Sequence, residues 1–155
     1  MISKKVFDFC LKNGLTIGFA ESITGGALSH ALAQYPGASH ILKGSIIAYQ
    51  PEAKETLLFV KPKTIGSHTL VSAEVAFEMV SGLKRQLNPD IAVAITGNAG
   101  PTLEPNTSAT EAYIAIDYCQ HTYQYRFPLT QGDRNLNIQS AVDQTYQYIA
   151  QILQV

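Results

Sequence analysis

At 155 residues, with 46% apolar and 15% charged side chains, the chain has the size and composition of one packed domain rather than a disordered segment. A net charge of −1 with no basic stripe argues against a duplex-binding surface. No apolar run approaches the roughly eighteen residues of a membrane span, and Met1-Ile2-Ser3-Lys4-Lys5 does not open a signal peptide. These features predict a soluble cytoplasmic protein with no nucleic-acid or membrane partner.

Residues Ile2 to Leu11 place Val6, Phe7, Cys10 and Leu11 at helical spacing, and Asn13-Gly14 supplies a C-terminal stop. Leu15 to Ala20 reads as a buried strand, and a helix from about Gly25 to Gln34 ends at Tyr35-Pro36-Gly37. A second strand is predicted over Ser45 to Tyr49. Pro51 then opens a short helix to Leu58, since proline is tolerated in a first turn. Lys61-Pro62-Lys63 marks a loop. Ser72 caps a helix that carries Val75, Met79, Val80 and Leu83 on one face to about Leu87. Ile91 to Ile95 is a continuous apolar run, as in a strand covered on both faces. Ala112 to Tyr118 and Thr122 to Phe127 form a predicted hairpin, and a last helix runs from Gly132-Asp133-Arg134 to about Leu153. Cys10 and Cys119 fall in a predicted helix and strand and read as buried free thiols. The approximate order αβαβαβββα predicts a mixed sheet with helices on both faces.

The stretch FAESITGG, Phe19 to Gly26, joins the first strand to a helix through a hydroxyl- and glycine-rich turn. Free N–H groups at a helix start favour negative charge, and glycines let a ligand approach the backbone. Ser22 is therefore the candidate nucleophile, although by spacing alone it is more readily a helix cap. A second glycine turn, Thr96-Gly97-Asn98-Ala99-Gly100-Pro101, lies at the end of another strand, where ligands of open α/β sheets collect. Serine needs a base, and neither a Ser-His-Asp set nor a GxSxG elbow is present. Lys54 can serve if burial lowers its pKa to about 7–8. Backbone N–H groups of Ile23-Thr24-Gly25-Gly26 could then hold an oxyanion. Taken singly, Lys54 reads as a solvated helix lysine and Tyr49 as a half-buried strand tyrosine. The four histidines show no metal-ligand spacing.

The segments AESITGG, AYQPEAK, VSAEVAFEM, AVAITGNAGP and QGDR fall in the order and at the spacings of CinA carboxy-terminal domains. This family includes the stand-alone PncC-type nicotinamide mononucleotide deamidases, and the resemblance covers nearly the whole chain. It implies one domain over residues 1–155, folded as a three-layer α/β/α sandwich, that forms a homodimer. It further implies hydrolysis of the carboxamide of a small-molecule pyridine nucleotide to the nicotinate form and ammonia, without metal or cofactor. The family's serine, lysine and tyrosine fall on Ser22, Lys54 and Tyr49, as nucleophile, base and orienting group. Thr24, Gly25, Gly26, Thr96, Gly97, Asn98 and Arg134 would line the substrate site.

The chain also departs from the family's pattern. Ile23 stands for a cysteine, Asn98 for an isoleucine, and Ile138 for a basic residue in the last helix. The family's glycine-rich loop with a Lys-Pro-Val-Gly ending is replaced by Thr102 to Glu111, which has neither glycine nor lysine. Loss of a cation and gain of Glu104 and Glu111 are expected to weaken a phosphate site. Two alternatives therefore stand beside the deamidase: a nucleotide-binding or regulatory module that has lost turnover, and an amidase of another substrate.

Overall fold

The computed structural model describes residues 1–155. Five strands form one sheet in the order β2-β1-β3-β4-β5: β1 Ile17–Glu21, β2 Leu42–Ile47, β3 Ile91–Asn98, β4 Glu111–Tyr118 and β5 His121–Pro128. β1 runs parallel to both β2 and β3, whereas β3-β4 and β4-β5 are antiparallel. The helices are α1 Ile2–Asn13, α2 Ala27–Ala33, α3 Pro51–Leu58, α4 Pro62–His68, α5 Ala73–Leu87 and α6 Arg134–Leu153. The chain is thus a three-layer α/β/α sandwich with a mixed sheet, as expected from the sequence.

Alternation along the central strands explains the two helical layers. Ile91, Val93 and Ile95 join Phe19, Ile114 and Ile116 in a core closed by α1, α2 and α6. The intervening Ala92 and Ala94, with Ala20 and Ala115, face a second core built with Val75, Met79, Val80 and Leu83 of α5 and Leu58 of α3. Large side chains on one face and alanines on the other let α5 lie close to the sheet. At its contact with α3, Gly82 leaves no room for a side chain: a Cβ there would lie 1.8 Å from the Leu58 carbonyl oxygen.

Four expectations need correction. Pro62–His68 is a helix rather than a loop, because Pro62 occupies the first turn, where its missing N–H costs nothing. β2 covers Leu42–Ile47 rather than Ser45 to Tyr49. Lys43 bulges out of the pairing with β1, and pairing stops at Glu21↔Ile47. Tyr49 therefore lies beyond the strand. Cys119, expected in a strand and buried, is exposed in the β4-β5 turn, where it and Gln120 both have positive φ. Cys10 is buried, and burial pushes its thiol up to about 11.

Candidate active site

The carboxyl ends of β1 and β3 lie side by side, with Glu21 paired to Ile95. The chain passes from β1 through α2 to β2 on one side, and from β2 through α3–α5 back across β1 to β3 on the other, which opens a crevice above the strand ends.

Glu21 organises the turn that follows. It is fully buried, and six donors converge on its carboxylate. Oε1 accepts from Thr24 Oγ1 (2.7 Å), Gly26 N (3.1 Å) and Leu28 N (2.9 Å). Oε2 accepts from Ser29 N (3.1 Å), Ser29 Oγ (2.8 Å) and Ser45 Oγ (2.8 Å). This carboxylate satisfies the orphan N–H groups at the start of α2, the role that Ser22 would have filled as a cap. Ser22 is not the N-cap of α2, which is Gly26 in a left-handed conformation. Its hydroxyl is left for another partner.

That partner is Lys54. Gln50 caps α3, Pro51 starts it, and the helix aims Lys54 inward so that it is 2% exposed. Its Nζ donates to Ser22 Oγ at 2.9 Å and to the carbonyls of Ala48 and Tyr49 at 3.0 Å each. Ala48 N in turn donates to the Glu21 carbonyl (2.8 Å), which ties the β2 end to β1. Burial pulls the Lys54 ammonium down from its ordinary 10.5 to about 8, while the Glu104 carboxylate acts in the opposite direction. A lysine with this pKa holds a useful fraction of neutral amine near neutral pH, which a general base requires.

The other expected site residues have varied placements. Tyr49 holds Lys54 through its backbone carbonyl, while its exposed ring reaches outward to accept from Arg134 Nη2 (2.9 Å). Its phenol therefore does not orient the lysine. Arg134 Nη1 also donates to the Gly100 carbonyl (2.7 Å), joining the start of α6 to the second glycine turn. Beside it, Gly100, Pro101, Thr130 and Gly132 line an open cleft of about 580 Å³. Of the four turn N–H groups expected to hold an oxyanion, that of Gly25 is bonded to the Ser22 carbonyl and that of Gly26 to Glu21. Those of Ile23 and Thr24 have no partner in the protein.

Three residues expected to line the substrate are engaged by the scaffold. The buried Thr96 hydroxyl donates to the Leu70 carbonyl (2.7 Å). Gly97 admits the Glu111 carbonyl, which would lie 2.6 Å from a Cβ. The Asn98 side chain, 3% exposed, holds the altered loop. It accepts from Glu104 N (2.8 Å) and donates to Thr107 Oγ1 (2.9 Å) and the Ala109 carbonyl (3.2 Å). The polar residue that replaces an isoleucine thus stands under a loop without glycines, and each makes sense of the other. Thr24 likewise spends its hydroxyl on Glu21.

Glu21 is the residue that sequence reasoning missed. Its signal was a carboxylate at the end of an otherwise apolar strand, immediately before the glycine turn.

The family model of the CinA C-terminal domain matches residues 1–153. The chain belongs to this family. A relative from Mycoplasma pneumoniae, described as a protein MG115 homolog, is 38% identical over 153 residues, covering 99% of this chain and 98% of that protein. A putative competence-damage inducible protein of Listeria innocua is 38% identical over 144 residues, covering 92% of this chain. The chain spans 34% of that Listeria protein and 24% of a CinA-like protein from Petrotoga mobilis. Among solved structures, a competence or damage-inducible protein of Enterobacter asburiae superposes with a TM-score of 0.93 at 28% identity, covering 98% of this chain and 96% of the other. The competence damage-inducible protein A of Klebsiella pneumoniae gives 0.92 at 28% identity, covering 98% and 94%. No helix of this CinA domain is long and apolar enough to cross a membrane.

Proposed function

We propose that this CinA domain hydrolyses a carboxamide through Ser22 and Lys54, with nicotinamide mononucleotide as the substrate. The buried 2.9 Å contact between Lys54 Nζ and Ser22 Oγ carries this reading. Neutral Lys54 accepts the Ser22 proton as Oγ attacks the carboxamide carbon. The N–H groups of Ile23 and Thr24 are the nearby free donors for the oxyanion. Collapse of the tetrahedral intermediate breaks the C–N bond, and the Lys54 ammonium returns its proton to the departing ammonia. Water, deprotonated by the same amine, then hydrolyses the ester on Ser22 to give the carboxylate product.

Retention of a buried Ser–Lys contact with a lowered lysine pKa favours turnover over a module that only binds. Ammonia release from nicotinamide mononucleotide by the pure protein tests the reading. Release by the wild type and its loss in Ser22→Ala support it; no release, or undiminished release in the variant, sinks it. The same reading places the protein in the cytoplasm as a homodimer, and light scattering on the purified chain checks its assembly.

A further inference from the structure

The two acidic residues of the altered segment have different fates. Glu111 is neutralised: its Oε2 accepts from Arg126 Nε at 2.6 Å, and Oε1 accepts from Tyr113 Oη at 3.3 Å. Glu104 has no such partner. Its exposed side chain enters no hydrogen bond, and the ion pairs lie elsewhere, at Lys4–Asp8, His68–Glu74, Lys84–Asp117 and Arg126–Glu111.

An exposed loop glutamate is ordinarily a solvated charge, but the backbone that carries this one is held in place. Its N–H is bonded to buried Asn98, and its carbonyl accepts from both Thr107 N (3.2 Å) and Thr107 Oγ1. The backbone on either side of the carboxylate is thus anchored to the end of β3, beside the strand end that carries Ser22. The Glu104 charge is felt by Lys54, and Arg134, whose guanidinium donates to Gly100 and Tyr49, makes no ion pair with it. The loop beside the site therefore carries, on an anchored backbone, an unpaired carboxylate whose charge reaches Lys54.

We infer that Glu104 is a specificity-determining residue, whose carboxylate selects amides borne on a positively charged ring over uncharged amides of the same shape. The inference rests on the reading of Ser22 and Lys54 as an amide-hydrolysing pair acting on a pyridine nucleotide. In such a substrate the carboxamide sits on a pyridinium ring, so the cation and the scissile bond arrive together. Glu104 contributes a charge and forms no covalent bond.

Calorimetry on the Ser22→Ala protein, with and without Glu104→Gln, tests this. The probes are nicotinamide mononucleotide and its reduced dihydropyridine form, whose ring is uncharged. Both carry the same phosphate, so any repulsion between phosphate and Glu104 cancels in their ratio. Glu104→Gln is expected to weaken binding of the oxidised form about tenfold, between the bulk-water and protein-surface limits for charges some 4–6 Å apart. Binding of the reduced form should change less than about twofold by the same reasoning. An unchanged oxidised-to-reduced ratio beside retained binding overturns this inference alone. Failure of the Ser22→Ala protein to bind either form overturns the pyridine-nucleotide reading and this inference together. Since the Glu104 side chain has no partner, the variant should fold as the wild type does.

Discussion

Lys54→Met removes the amine while keeping an unbranched side chain of similar length in the slot between Ala48, Tyr49 and Ser22. In the wild type, the fall of the Lys54 ammonium from 10.5 to about 8 means that folding disfavours its charged form by about 3 kcal/mol. Below pH 8 the folded and unfolded chains both carry the proton, so the penalty is fully present. Between about pH 8 and 10.5 the folded chain has lost the proton and the unfolded chain still binds it. Stability then rises with pH. The buried Cys10 thiol, raised to about 11, acts in the opposite direction, but equally in both proteins. The three acceptors stranded by the substitution add an offset that does not vary with pH across this window.

Urea denaturation of both proteins at constant ionic strength, from pH 7 to 10.5, reads the difference. The wild type should gain about 3 kcal/mol relative to Lys54→Met across that range. Its kcat/KM for ammonia release should climb with pH and level off above about 8, because only the neutral amine accepts the Ser22 proton. Parallel stability curves for the two proteins, or activity that falls between pH 7 and 9, would refute the reasoning.

Glu21→Gln should cost about 3–5 kcal/mol, because six donors lose an ionised acceptor and an amide N–H is turned toward some of them. A denaturation midpoint close to that of the wild type would show that Glu21 does not hold the turn. Asn98→Leu leaves Glu104 N, Thr107 Oγ1 and the Ala109 carbonyl without their partner, and should destabilise by about 1–3 kcal/mol. Amide exchange over residues 104–110 should accelerate selectively; uniform protection there would contradict the anchoring role. Gly82→Ala drives a methyl into the Leu58 carbonyl and must push α3 away from α5, at a cost of about 3 kcal/mol or more. Because α3 carries Lys54, kcat should drop with stability, and a variant of wild-type activity would argue against that coupling.

Periodicity and punctuation carried most of the architecture. The unbroken apolar run Ile91–Ile95 marked a strand covered on both faces, and Ser72 marked the start of α5, where its side chain accepts from Val75 N. Elements defined by short-range signals were legible because their hydrogen bonds close within or beside the segment. α4 was hidden, since seven residues with an initial proline give too little periodicity to separate helix from loop.

Within the site, residue types in motif order singled out Ser22 and Lys54, and the strand-end position of FAESITGG was evident from the apolar run before it. What only the tertiary structure decided is the division of labour among the polar side chains. Glu21 and Ser45, Thr96 and Leu70, and Tyr49 and Arg134 meet across sequence separations that no local pattern records. A hydroxyl or amide looks the same in sequence whether it faces a ligand or satisfies a buried partner. Folding settles the matter, because buried polar groups must be paired. Asn98 and Thr96 were taken up by the scaffold for that reason, and Ser22 was left with Lys54.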